Sequence, residues 1–287
     1  MSKVYELITE QIINSLNNGS IPWRKPWVSQ VPTSLNSCKT YRGINHLLLS
    51  NVSDSPTQLY LTFNQCKALG KKILKGSKAL PVVYHMFKED KETGESEYKG
   101  ARFYKVFPIE STDLTKAELE PLINDDIMQR LMHEKPQGEL NADIESFLAL
   151  MQSKTNLKFK QSNKAYYMPS THTLAMPPLD LFKTHEEYYA TYFHELIHST
   201  MDELQRDAKG YKFGSHKYSF EELVAEIGAQ FLCDHFQIRN SVVENSQAYI
   251  ESWLKKFKGD SNMIIKASSK AQQAVDYLLT LATDVPF

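Results

Sequence analysis

Residues 192–200 read Tyr-Phe-His-Glu-Leu-Ile-His-Ser-Thr, and the His194-Glu195-x-x-His198 core restricts local structure more than any other stretch. Two histidines four residues apart share a face on an α-helix, where both can point at one ion. The flanking residues support a helix over 184–205. Thr184-His-Glu-Glu187 has the form of a capping box. Tyr188, Tyr189, Tyr192, Phe193, Leu196 and Ile197 then recur at three- and four-residue steps. Glu195, next to the first histidine, is placed to take a proton from a water at the same ion. The pattern is two neutral nitrogen ligands and one base.

A catalytic zinc usually has three protein ligands and one open position, so a third ligand is expected from another segment. Ser219-Phe-Glu-Glu-Leu-Val-Ala-Glu226 offers candidates on a second predicted helix, residues 219–236. Its core stripe is Phe220, Leu223, Val224, Ile227 and Phe231. Glu222 and Glu226 lie on a different face that continues as Ala229 and Cys233, small residues that would let the two helices lie close. The Glu-x-x-Ala-Glu order favours Glu222 as the ligand, with Glu226 hydrogen-bonding a ligand histidine. Ser219-x-x-Glu222 is itself of capping-box form; if Glu222 only caps the helix, Glu226 is the ligand. His216 and Tyr218, just upstream, are candidate donors to a developing oxyanion or ordinary loop residues. His172, His185 and His235 read as surface or packing histidines. The stretch KAYYMPSTHTLAMP, residues 164–177, reads as a strand that could pair with an extended peptide.

The front of the chain differs in charge. Residues 1–87 carry ten Lys and Arg against three acids, a net +7, so the remaining 200 residues carry −8 toward the total of −1. This suggests two units with different partners. Trp23, Trp27 and Tyr41 are interleaved with Arg24, Lys25 and Arg42, and Lys71, Lys72, Lys75 and Lys78 follow. Cations beside aromatic faces suit a single-stranded nucleic acid, whose bases stack while its phosphates meet the charges. Buried tryptophans and a solvated lysine face would produce the same composition. No nucleotide-binding phosphate loop and no zinc-finger spacing is present. No apolar run is long enough to span a bilayer, and the N-terminal stretch lacks an apolar signal core. Cys38, Cys66 and Cys233 are odd in number and far apart, which fits a reducing compartment, the cytoplasm.

Periodicity predicts helices over 2–18, from Asn64 to a stop at Gly70, and over 245–257 and 268–282. It predicts strands at Lys72–Lys75 and Leu80–Phe87 around a Gly76-Ser77 turn, and at Arg102–Phe107. Residues 110–139, acidic and broken by prolines, read as a connection with a short helix or two.

Several motifs in this order resemble the ArdC-type antirestriction proteins of plasmids and mobile elements. In the front half the likeness rests on IPWRKPW, TYRGINHLLL, LTFNQCKALGKKILKGSKALPVVY and YKVF. In the back half it rests on AYYMPSTHTLAMPPLDLF, EEYYATYFHELIHST, FGSHKYSFEELVAEIGAQFLC, AYIESWL and AQQAVDYLL. The resemblance covers nearly the whole chain. It implies an N-terminal single-stranded-DNA-binding domain joined to a C-terminal zincin-like metallopeptidase domain. It also implies metal ligands at His194, His198 and an acid of EELVAE, with Glu195 as base. The TYRGINHLLL stretch adds Asn45 to the DNA-binding candidates. Two departures stand out: His172 where the family pattern has Asp, and Ser199-Thr-Met201 where it has a Trp-Thr-Gly run.

The resulting expectation is an α+β protein. A small α+β DNA-binding domain (1–111) and a linker (112–139) would precede a mostly helical zincin-like domain (140–287) holding zinc, or manganese in its place. Such a protein would protect incoming mobile-element DNA or cleave DNA-associated proteins. The alternative is a non-enzymatic single-strand shield whose metal site is structural.

Overall fold

The computed structural model describes residues 3–17, 30–52, 55–89, 96–132, 140–206, 216–238, 247–260 and 262–283. These divide into two compact units. The first is drawn from Met1–Pro22, Gln30–His133 and Ile250–Asn262, and the second from Glu134–Tyr249 and Met263–Phe287. Among the described residues no helix is long and apolar enough to cross a membrane.

The first unit opens with α1 (Lys3–Asn17), whose Ile8, Ile12 and Leu16 are buried at helical spacing. Strand β1 (Thr33–Ser34), helix α2 (Ile44–Val52), strand β2 (Leu59–Leu61) and helix α3 (Phe63–Ala68) follow. Thr62 and Gln65 form a reciprocal capping box at the start of α3. Strands β3 (Leu80–Glu89) and β4 (Ser96–Pro108) complete a four-stranded sheet of order β1-β2-β4-β3, with β1 parallel to β2 and the other pairs antiparallel. Short helices α4 (Lys116–Leu119) and α5 (Asp125–Met132) close the connection.

Two expectations fail here. Lys72–Lys75 is not a strand. The Leu74 N–H donates to the Ser111 carbonyl, the Lys72 N–H donates to the Asp113 carboxylate, and Ile73 forms an isolated bridge with Thr112. These groups are satisfied by the turn after β4, so β3 pairs with β4 instead. The strand expected at Arg102–Phe107 begins earlier, and β4 reaches back through a charged stretch to Ser96. Met86 pairs with Gly100 and Phe87 with Tyr98, a bulge that skips Lys99. Gly100 takes φ +129°, where side-chain-bearing residues are strained.

The second unit contains α6 (Ala142–Lys154), strands β5 (Lys158–Gln161), β6 (Tyr166–Met168) and β7 (Thr173–Met176), and helices α7 (His185–Ser199) and α8 (His216–Phe236). Helix α9 (Gln247–Gly259) leads back to the first unit, and α10 (Met263–Thr283) ends the second. Helix α8 packs between α7 and α10, and α6 lies against α10. Phe147, Phe193 and Phe236 meet at ring distances of 5.1–6.3 Å, which joins α6, α7 and α8 in one core. The strand expected over 164–177 is a hairpin instead. Pro169 starts a tight turn, and His172 reverses the chain with φ 48°. The three-stranded sheet has the order β5-β7-β6. β5, exposed along its length, carries no alternation that would mark it as a strand.

Candidate metal centre

Helix α7 is built as its sequence dictates. The Thr184 hydroxyl accepts the Glu187 N–H, and acids occupy the first turn. Tyr189, Tyr192, Phe193, Leu196 and Ile197 bury one stripe. His194 and His198 project one turn apart, with their Nε2 atoms 3.2 Å from each other. Helix α8 delivers Glu222 to the same point. One of its carboxylate oxygens lies 3.6 Å from His194 Nε2, and the other lies 3.5 Å from His198 Nε2. Among the described residues these three side chains form a group whose ligand atoms all lie within 4.8 Å of one another. Donor atoms about 2.0–2.1 Å from a tetrahedral zinc lie about 3.3 Å apart, so the donor set fits a small divalent cation.

Helix α8 starts at His216, three residues before the cap its sequence suggested. Ser219 is therefore inside the helix and buried. Glu222 is not in capping position, and its carboxylate faces the histidines. Gly228 sets the spacing of the two helices. A Cβ there would sit 2.8 Å from the Ile197 side chain. Ala229 and Cys233 are buried as well, but Gly228 is the position that requires the missing side chain.

The buried partner of a ligand histidine is Glu221, which the sequence did not single out. His198 Nδ1 lies 3.3 Å from Glu221 Oε1. A carboxylate only accepts, so Nδ1 carries the proton, which leaves the Nε2 lone pair available to a cation that His198 and Glu222 would share. Glu221 is held in turn by Arg206. Its Nε and Nη2 donate to the two carboxylate oxygens, each at 3.0 Å. Nη1 donates to the Thr200 hydroxyl at 2.8 Å, and Nη2 also donates to the Ile197 carbonyl at 2.7 Å. Burial would raise the Glu221 pKa, but His198 and Arg206 outweigh it and hold the carboxyl below its ordinary range. Arg206 thus ties the end of α7 to the start of α8, on either side of the ligand cluster. Neither residue has a sequence signal of its own, because a buried arginine looks like any surface arginine in the one-dimensional pattern.

Burial would lower the His194 pKa. The hydrogen bond to Glu222, with the charges of Glu195, Glu222 and Glu226, overrides this and raises it to about 9. The cluster is an anionic pocket that a proton occupies when no cation does. Glu195 is half-buried beside His194, and Glu226 acts on His194 through its charge. His172 packs: its Nδ1 meets the Tyr167 hydroxyl at 2.8 Å, and its Nε2 meets the Thr155 carbonyl at 3.0 Å. His216 and Tyr218 fall in the first turn of α8, and their side chains lie outside the described residues.

Of the candidates for DNA binding, Trp23, Arg24, Lys25 and Trp27 also lie outside the described residues. Lys72, Lys75 and Lys78 are exposed, whereas Lys71 is ion-paired with Glu118. Arg42 is exposed, and the Tyr41 ring stands edge-on to Tyr60. Asn45 is committed to the scaffold. Its Nδ2 donates to the Val83 carbonyl, and its Oδ1 accepts the Val83 N–H, both at 2.8 Å. It thereby covers open backbone groups on the edge strand β3.

Fold and site define the class: a two-part protein whose second unit is a zincin-like fold with a His-His-Glu cluster. The family model for a zincin-like metallopeptidase matches residues 139–270. The model for the N-terminal domain of anti-restriction factor ArdC matches residues 2–109. The crystal structure of the antirestriction protein ArdC from plasmid R388 in its metal-free form is 30% identical. It superposes with a TM-score of 0.76, covering 100% of both chains. The Mn(II)-bound form of that protein gives 29% identity and a TM-score of 0.75, covering 99% of this chain and 100% of that one. The chain belongs to the ArdC antirestriction family. It is also 29% identical, over 96% of its length, to the DNA primase TraC of Escherichia coli, and spans 20% of that longer protein. Protein y4eC of Sinorhizobium fredii is 28% identical, with 98% of this chain and 93% of y4eC covered.

Proposed function

We propose that this protein binds single-stranded DNA through its first unit and hydrolyses peptide bonds at the His194-His198-Glu222 cluster. By this activity, or by covering the strand, it protects incoming mobile-element DNA in the cytoplasm. The observation that carries the reading is the convergence of three donor side chains from two helices beside an acid, Glu195. Among the described residues three side chains, not four, offer ligand atoms, which matches an open catalytic site. His194, His198 and Glu222 would hold zinc, or manganese as in the R388 relative. When bound, the cation supplies Lewis-acid charge and an acidified water. Glu195 takes the proton of the attacking water and delivers it to the leaving amine. Arg206 and Glu221 keep the His198 ring turned so that its Nε2 faces the cation. The basic front of the chain and the ArdC family support the DNA partner.

Glu195→Gln tests the hydrolytic part. Metal content should stay near one ion per chain and single-strand binding should survive. Cleavage of DNA-bound proteins, or protection of incoming DNA from restriction, should be lost. Protection at the level of the unaltered protein would overturn the hydrolytic reading and leave a non-enzymatic shield.

A further inference from the structure

We infer that the exposed face of the β3–β4 hairpin, formed by Tyr84, Arg102 and Tyr104, is a stacking platform for the bases of a single strand. The inference rests on the single-strand reading above and assigns it a surface.

Directly paired residues of an antiparallel ladder share a face. Val82 pairs with Tyr104, and Tyr84 with Arg102. The inner end of this face is core: Leu49 of α2, Tyr60, Val82 and Val106 are fully buried together. The outer end emerges from that cover. Tyr104 is 37% exposed and Tyr84 59%, and Arg102 is exposed between them. Tyr84 and Tyr104 are diagonal neighbours, the spacing at which large rings on a sheet act together. Tyr41 borders the row, with its hydroxyl in hydrogen-bonding reach of Tyr104, and exposed Arg42 follows it. The bulge at Lys99 turns Tyr98 to the other face, where its ring meets His85 at 5.9 Å. The platform therefore consists of the two tyrosines ahead of the bulge.

Charge selects the occupant. On the face of the two rings Arg102 is an exposed cation between them and Arg42 borders them, whereas Lys105, paired with Pro81, lies on the other face. In the lysine loop Lys71 is paired with Glu118, and exposed Lys72, Lys75 and Lys78 offer cations in a stretch, 71–78, that has no aromatic residue. Aromatic rings flanked by cations suit a polyanion with accessible ring faces. A single strand offers those faces, and a duplex keeps them stacked inside.

The test uses the full chain with two labelled strands of equal length, oligothymidylate and an abasic phosphodiester. Fluorescence anisotropy is read over a salt series. The unaltered protein should prefer the thymidylate. Tyr84→Ala and Tyr104→Ala should each weaken thymidylate binding about 5- to 100-fold and erase that preference, with the salt slope unchanged. Tyr84→Phe should restore it, because the ring face is kept. Arg102→Gln should lower the salt slope by about 0.7, the share of one phosphate contact. Thymidylate binding by Tyr84→Ala equal to that of the unaltered protein would overturn the platform and leave the single-strand reading standing. If the unaltered protein binds neither strand, the single-strand reading fails and the platform with it. Tyr84, the more exposed ring, carries the decision, and its variant should melt as the parent does.

Discussion

Arg206 makes four hydrogen bonds from a buried site, and each connects a residue that positions the metal cluster. Removing only its charge would strand the Glu221 carboxylate, so Arg206→Met should cost about 3–5 kcal/mol of stability. Glu221→Gln keeps the shape and an acceptor but weakens the hold on His198 Nδ1. It should lower divalent-cation affinity about 10- to 100-fold, read by competition with a chromophoric chelator. Unchanged affinity would make the pair a fold element only. His194 sets a pH dependence. Its pKa is about 9 in the metal-free fold, against an ordinary value of 6.5. The folded state therefore binds the proton more tightly. The stability this gives the metal-free protein is complete below pH 6.5 and is lost as pH rises through about 9. Metal and proton compete for the ring, so cation affinity should climb over the same window. Melting of stripped protein from pH 6 to 10 checks the first statement, and His194→Gln should flatten the curve. The histidines and Glu222 were legible because ligand spacing is a helical repeat. Glu221 and Arg206 were not, because their roles depend on where α7 ends relative to α8.

At the scale of elements, the α7–α8 contact decides whether three donors meet. Gly228 allows it, since a methyl group there would press on Ile197. Gly228→Ala should therefore destabilise the protein by about 1–3 kcal/mol through overpacking and also weaken divalent-cation binding by spreading the helices. Denaturant melts and metal titration measure the two effects; a stable variant with full affinity would show that Ile197 simply yields. The helices were readable from their stripes, the start of α7 from its cap and the stop of α3 from Gly70, but α7 ends at Ser199 and not at the expected 205. The β structure was less so. Lys72–Lys75 has strand composition but its backbone bonds to the turn at 109–113, and Lys158–Gln161 forms a strand with no alternation at all. Pairing partners distant in sequence decide such cases, and no local window contains them.

Across the molecule, the metal cluster belongs to the second unit. A ligand that binds only the native state stabilises it by an amount set by its concentration, about 2.7 kcal/mol at a hundredfold excess over Kd. Chelation should therefore lower the melting temperature by about 5–10 °C while oligothymidylate binding persists. Scanning calorimetry with and without chelator, alongside anisotropy, checks both. Joint loss would show that metal and DNA sites are coupled. The charge asymmetry along the chain anticipated two units. It did not anticipate that Ile250–Asn262 groups with the first unit, carrying buried Trp253 and Phe257 late in the chain.

By itself the sequence determined what is periodic or adjacent: the amphipathic helices, the two histidines on one face, the acid beside them and a second helix bearing glutamates. Those follow from the 3.6-residue repeat and from capping chemistry, which act within a few residues. The tertiary structure alone decided that Glu222 meets both histidines, that Arg206 and Glu221 secure His198, and that Asn45 serves the edge of β3. It also brought Tyr84 and Tyr104 together on one open face. Each of these depends on close approach between segments far apart in the chain, set by packing that no short stretch encodes.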